Sequence, residues 1–352
     1  MNIASIVKSP LHLAQIATGA KSFEKNPILG SRRLNERGLH VARVRAAMRL
    51  ADMRRRRLAR ALATTVTAES REAYARDGFV VIENFLDADT FAAATRELEG
   101  DFDRYDMLQG AAVTRRAMID DGDLADRPAL LAARRDPRMR DLVRYVASHS
   151  GQPLFTLQIV MGLPAETPDG ADPQTMLHSD TFQPTAKSWL FLRDVGEDDG
   201  PFSYVPGSHR MTPERYAWED AIARNAAAIE NKYAARGSLR IAAGDLPSLG
   251  YGQPRPMVVK ANTLVVADTH GFHARTASPK RTTRMEIYGS LRRNPFLPFT
   301  GGHVAAFPGL PGRTNRLVID GLAAMERMGL KGSPWVPAGR GRPDEWSDRL
   351  PA

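Results

Sequence analysis

The chain has 352 residues, with 49 Lys and Arg against 40 Asp and Glu, a formal charge of +9, eight His and no Cys. Without cysteine there are no disulfides, thiol nucleophiles, cysteine-held iron–sulfur clusters or zinc fingers, so a metal site must be built from His and carboxylates. A hydrophobic share of 43% and a charged share of 25% fit a globular protein and exclude disorder throughout.

No stretch reads as a membrane span, because the longest charge-free run, Tyr145 to Ala165, is broken by His149, Gly151, Gln152 and Pro153. Ile3 to Val7 is too short for a secretory leader, so the cytoplasm is the expected location. Residues 1–60 hold Lys8, Lys21, Lys25 and eleven Arg against Glu24, Glu36 and Asp52, a net of +11, which leaves −2 for the other 292 residues. The basic character therefore belongs to an arm, residues 1–64, and not to the body.

Within the arm, Leu11 to Ile16 is a weak apolar segment. From Leu39 to Leu62, Val41, Val44, Met48, Ala51, Leu58 and Leu62 recur at helical spacing. Arg43, Arg45, Arg49, Arg54, Arg56, Arg57 and Arg60 fall mostly on the other face, and Arg55 interrupts the stripe. Such a helix, residues 39–62, suits an anionic membrane surface as a peripheral protein, or packs its stripe onto its own parent domain. Nucleic acid ranks last, since residues 31–62 contain no Phe, Tyr or Trp for base stacking.

After Ala63 to Thr67, a helix over Ser70 to Arg76 is expected to stop at Gly78. Phe79 to Ile82 reads as a strand, and Asp87 or Asp89 caps a helix over Phe91 to Leu98. Two further helices are expected at Pro128 to Arg134 and Pro137 to Val146. Short apolar runs then follow between Gly, Pro and Asp: Leu154 to Met161, Trp189 to Leu192, Phe202 to Val205, Pro256 to Val259, Thr263 to Val266 and Met285 to Leu291. That texture predicts a sandwich or barrel, mainly β with flanking helices. Thr212-Pro213-Glu214 opens a helical insertion running to about Arg236. The extension 301–352 starts rich in Gly and Pro, offers a helix near Leu317 to Met328, and ends in irregular sequence with Trp335 and Trp346.

Leu177-His178-Ser179-Asp180 carries the chemistry. In an extended segment residues two apart share a face, so His178 and Asp180 can address one metal. A third ligand is available in Asp268-Thr269-His270-Gly271-Phe272-His273. Two His and one carboxylate leave open positions on an octahedral metal, the arrangement of non-haem Fe(II) oxygenases.

The order of motifs resembles the phytanoyl-CoA dioxygenase family of Fe(II)/2-oxoglutarate oxygenases. The matching stretches are Asp77-Gly78-Phe79 through Phe85-Leu86, then His178-Ser179-Asp180, then Asp199-Gly200-Pro201 through Val205-Pro206-Gly207-Ser208-His209-Arg210, and finally the distal His and an Arg beyond it. They span roughly Ser70 to Arg293 and leave out the arm and the tail. The resemblance implies a double-stranded β-helix, a cupin-like jelly roll, over residues 65–300. It implies Fe(II), 2-oxoglutarate and O2, with succinate and CO2 released as a substrate C–H bond is oxidised.

Carried over, the resemblance makes His178 and Asp180 the proximal ligands and His273 the distal one, with His270 the alternative. His273 is preferred because the family places a 2-oxoglutarate-binding Arg about eleven residues after the distal ligand, and Arg284 stands there. A guanidinium on a strand face suits the remote carboxylate of 2-oxoglutarate. Trp189 is either a wall of the cosubstrate pocket or a core aromatic. Gln158 either meets a carboxylate or makes a structural hydrogen bond. His209 is expected to hold a turn. The retained Asp180 favours hydroxylation over halogenation.

The expected substrate is a small molecule or lipid-like compound, with the 212–236 insertion and the tail as candidate pocket walls. Two other readings are a non-catalytic cupin-like binding protein and a zinc hydrolase on the same His and Asp residues. The first leaves the intact ligand set without a purpose, and the second lacks a His-Glu-x-x-His helix and leaves Arg284 unexplained.

Overall fold

Gly38, left-handed at φ 68, precedes helix α1 (Leu39–Ala61), which buries Val44, Ala51 and Leu58 of the expected stripe and also Ala47. The computed structural model describes residues 36–164, 172–225, 228–296, 312–329 and 333–351, so Leu11 to Ile16 lies outside the described residues. Val44 and Ala47 pack with Phe182, and Leu58 joins the main core. Arg55, which breaks the stripe, lays its guanidinium 4.6 Å from the ring centre of Tyr74. The apolar face of α1 is thus turned onto the body, while its Arg45, Arg49, Arg56, Arg57 and Arg60 stay exposed. No described helix is long and apolar enough to cross a membrane.

Helix α2 (Ala68–Asp77) is capped by the Thr67 side chain, which accepts from the Ser70 N–H, and it stops at Gly78, left-handed at φ 85. Strand β1 (Phe79–Ile82) follows. In α3 (Ala88–Glu97) the cap is Asp87, not Asp89. Helices α4 (Pro128–Arg135) and α5 (Pro137–Val146) each begin on a proline, whose missing N–H costs nothing in a first turn.

The other strands are β2 (Phe102–Gln109), β3 (Ala112–Ala117), β4 (Leu154–Gly162), β5 (Ala186–Phe191), β6 (Phe202–Tyr204), β7 (Arg255–Pro256), β8 (Leu264–Asp268), β9 (His273–Arg275), β10 (Thr282–Leu291) and β11 (Val336–Gly341). They form two antiparallel sheets: a large one in the order β1-β8-β5-β10-β4-β3-β2-β11, and a small one in the order β7-β6-β9. The double-stranded β-helix, mainly β with flanking helices, is therefore the fold. Period two divides the strands cleanly. Val80, Leu157, Ile159, Leu190, Val266, Met285 and Ile287 point outward into the core shared with the helices. Phe79, Trp189, Phe191, Val265, Ala267 and Tyr288 point inward and meet Phe202 and Tyr204 of the small sheet.

Three expectations are corrected. β2 and β3 escaped the sequence reading because Arg104 and Asp106 share the core-facing side of β2 with Phe102, and Arg115 that of β3 with Val113 and Ala117, so buried charges hide the alternation. Helix α6 (Pro213–Arg224) ends well before Arg236, and it packs beside α1 instead of lining the cavity described below. The tail, after helix α7 (Thr314–Arg327), is not irregular: β11 pairs with β2. Arg104 donates to the carbonyls of Ala338 and Arg342, at 3.1 and 2.9 Å.

Candidate metal centre and cavity

His178 lies just before β5 and His273 opens β9. Their backbones exchange two hydrogen bonds of 2.9 Å, while the Asp180 N–H donates to the Thr269 carbonyl at 2.8 Å. This backbone pairing fixes His178, Asp180 and His273 around one point. The donor atoms of the three side chains all lie within 4.8 Å of one another, the sole such grouping of three or more among the described residues. Asp180 Oδ1 stands 3.9 Å from His178 Nε2 and 3.7 Å from His273 Nε2.

Protonation suits the geometry. Nδ1 of His178 lies 2.8 Å from the Met176 carbonyl and Nδ1 of His273 lies 2.9 Å from the Gly271 carbonyl. A carbonyl only accepts, so Nδ1 carries the proton and Nε2 presents its lone pair inward. Nε2 of His273 is buried with no hydrogen-bond partner, the kind of orphan a metal would satisfy. Burial, helped by the neighbouring imidazole, holds His178 well below its ordinary pKa, and burial brings His273 down to about 4. Burial alone would raise Asp180, yet Lys187, Arg292 and the two imidazoles hold it well below the usual carboxylate range. Two neutral imidazoles and one carboxylate are the donor set an Fe(II) ion takes.

His270 turns away. Its Nδ1 donates to the Thr181 carbonyl at 2.9 Å and its Nε2 lies 3.3 Å from Met211 Sδ. His209 packs at a tilt against Tyr74 with ring centres 5.1 Å apart.

A cavity of about 180 Å³ opens beside the cluster, lined by His178, His273, Trp189, Gln158, Arg284 and Arg116 among others. Arg284, Glu286 and Tyr288 alternate along β10 and share its inward face. Arg284 is buried, donates to the Gly200 carbonyl, and leaves its Nε without a partner. Trp189 sits 4.3 Å from Phe202 between ring centres, so it is both core aromatic and cavity wall. Gln158 does bond a carboxylate, but a protein one: its Nε2 donates to Glu286 Oε1 at 2.9 Å, while its Oε1 accepts from Arg116 at 3.3 Å. Burial pushes the Glu286 carboxyl up.

Sequence reading missed Lys187 and Arg292, which reach Asp180 Oδ2 at 2.6 and 3.1 Å. Lys187 shares the β5 face with Trp189, a signal that was available; Arg292 follows β10 and gives none. Arg116 was also missed. Its guanidinium lies 4.2 Å from the Tyr288 ring centre and 5.1 Å from that of Trp335, so the tail touches a cavity residue from behind, while no described residue of the tail lines the cavity itself.

Sheets and cluster together define a double-stranded β-helix with a candidate mononuclear metal centre at the edge of its cavity. The family model described as "Phytanoyl-CoA dioxygenase (PhyH)" matches residues 74–274. The chain belongs to this family, and it is an Fe(II)/2-oxoglutarate-dependent dioxygenase using O2. Among solved structures it is similar to the epimerase SnoN in complex with Fe3+, alpha ketoglutarate and nogalamycin RO, at 18% identity over 65% of this chain and 82% of that one, TM-score 0.40. It is similar to the carbocyclase SnoK from nogalamycin biosynthesis, at 19% identity over 65% and 84%, TM-score 0.41. HygX from Streptomyces hygroscopicus with nickel and 2-oxoglutarate bound stands at 19% identity over 64% and 86%, TM-score 0.40. No curated protein matches it.

Proposed function

We propose that this chain hydroxylates an unactivated C–H bond of a polar small molecule, with His178, Asp180 and His273 as the iron ligands. The observation that carries the reading is the pair of inward Nε2 lone pairs converging with the Asp180 carboxylate beside a cavity walled by a buried arginine. Iron, when bound, supplies the redox chemistry that couples decarboxylation of 2-oxoglutarate by O2 to oxidation of the substrate.

The protein's own residues do the rest. The carbonyls of Met176 and Gly271 fix both imidazole tautomers. Lys187 and Arg292 occupy Asp180 Oδ2, which keeps Oδ1 turned toward the two imidazoles. Arg284 receives the remote carboxylate of 2-oxoglutarate, Trp189 walls the same pocket, and Gln158 positions Glu286 and Arg116 in the sheet. Arg116, Lys187 and Gln174 line the cavity beside Met107, Phe202 and Tyr288, a mixed wall whose charged and amide groups suit a substrate with polar groups better than a bare acyl chain. The body packing of α1 supports an internal role for the arm over a lipid-facing one.

The test is product analysis. Iron-loaded protein given 2-oxoglutarate, O2 and a panel of polar metabolites is expected to form succinate and a product heavier by one oxygen atom, and Asp180→Gly is expected to lose both. A product lighter by two hydrogens, or no 2-oxoglutarate turnover under any condition, would contradict the proposal.

A further inference from the structure

Helix α1 and the turn that carries His273 are joined by a line of buried polar and charged side chains. Arg43 Nη2 donates to His40 Nδ1 at 3.0 Å, and His40 Nε2 donates to Glu219 Oε2 at 2.9 Å. Arg215 Nε donates to Glu219 Oε1 at 3.0 Å. Both guanidinium ends of Arg215 are also spent: Nη2 donates to the His270 carbonyl at 2.9 Å, and Nη1 donates to the Ser208 carbonyl. The Arg215 plane stacks on Phe272, 4.3 Å from its ring centre, one residue before His273. At the other end Arg43 covers Phe182, 3.8 Å from its ring centre, two residues after Asp180.

None of these groups is at the surface. His40 is 1% exposed, Arg215 0% and Glu219 2%. Ions in such surroundings are costly to desolvate, and they persist only where charge and hydrogen bonds are matched at both ends. A second route runs alongside. Arg55 of α1 stacks on Tyr74, whose hydroxyl donates to Asp268 Oδ2 at 3.0 Å, and Asp268 Oδ1 accepts from the His270 N–H at 3.0 Å. Both routes end on residues 268–272, the turn whose Thr269 carbonyl holds the Asp180 N–H.

We propose that α1, an element lying before the family match, is a brace of the metal centre, with His40, Glu219 and Arg215 as positioning residues that set the 268–273 turn and through it His273. The inference rests on the assignment of His178, Asp180 and His273 as metal ligands. Outer partners of metal ligands change affinity by roughly 10–100-fold when removed, whereas a brace of the fold alone would lower thermal stability and leave the site as it is.

The experiment uses full-length protein with cobalt(II) as the probe, read by its visible d–d absorption, together with hydrogen exchange on the metal-free protein. His40→Leu cuts the link from the arm without touching the turn. Its expected result is a cobalt dissociation constant raised about 10-fold, with faster exchange of peptides covering 268–273 and unchanged exchange over β4. Arg57→Ala, on the exposed face of the same helix, is expected to match wild type in both. If His40→Leu fails to fold, Glu219→Gln takes its place. Cobalt affinity within twofold of wild type, or weaker binding without faster exchange of 268–273, overturns the brace. Wild-type protein that binds no cobalt would instead overturn the ligand assignment, and the exchange data alone would then decide on the brace, supporting it if His40→Leu loosens 268–273 and overturning it if not.

Discussion

Two histidines three positions apart, His270 and His273, compete in sequence for one role, and their hydrogen bonds separate them. The Nδ1 of each is anchored on a carbonyl, but Nε2 of His273 faces Asp180 whereas Nε2 of His270 faces the Met211 sulfur. His273→Ala is therefore expected to weaken metal binding by more than about 10-fold. His270→Gln should retain it at a cost of about 1–2 kcal/mol in stability for a broken buried hydrogen bond. Calorimetric titration with Mn(II) and thermal unfolding check both halves; the reverse pattern would reassign the ligand. The His178 and Asp180 pair was legible because two-residue spacing is a local property of an extended chain. Lys187 offered a signal in sharing a strand face with Trp189, but that it and Arg292, just after β10, reach the same carboxylate is a fact only the folded sheet creates.

Among the elements, the 268–273 turn has the least room. A methyl group on Gly271 would lie 1.9 Å from the Tyr204 hydroxyl oxygen and 2.9 Å from Ser208 Oγ. That hydroxyl donates to the Asp268 carbonyl at 2.8 Å, and Ser208 Oγ accepts from the Phe272 N–H at 2.8 Å, so neither can step aside freely. Gly271→Ala is expected to destabilise by about 1–3 kcal/mol through overpacking, seen as a lower denaturation midpoint; an unchanged midpoint would show that the turn is slack. Element legibility followed chemistry. Helices announced by Asp87, Pro128 and Pro137 were readable because caps and first-turn prolines act locally. β2 and β3 were not, since the Arg115 and Asp106 side chains pair at 2.7 Å inside the sheet edge and the Ser347 hydroxyl of the tail donates to Asp106 at 2.6 Å. A buried polar seam has no hydrophobic period to detect.

At the scale of the whole molecule, uneven charge and buried histidines govern the response to pH. His149 is brought down to about 4, and His209 and His270 to about 3, each chiefly by burial. The unfolded chain binds those protons near 6.5, so it takes up protons that the folded chain refuses, and stability falls as pH drops from there toward the folded values. Asp268, raised by burial to about 6, works the other way, losing stability as pH rises from about 4 to 6. Three histidines outweigh one carboxyl over that window. The thermal midpoint of metal-free protein is thus expected to fall steadily from pH 7 to pH 5, and a midpoint that rises over that interval would contradict the assignment. The net +11 of residues 1–60 was readable by counting. That α1 spends its stripe and Arg43 on the body was not, since a stripe records that a helix packs without recording on what.

The central claim is that His178, Asp180 and His273 hold iron beside a 2-oxoglutarate pocket closed by Arg284, and anaerobic spectroscopy addresses it most directly. Addition of Fe(II) and 2-oxoglutarate to the metal-free protein is expected to give the weak visible charge-transfer band of the chelate. His178→Ala should give no band, and Arg284→Leu should need at least about 10-fold more 2-oxoglutarate for the loss of a charge-assisted bidentate contact. Wild-type protein that shows no band, or His178→Ala that shows it at full strength, would contradict the account.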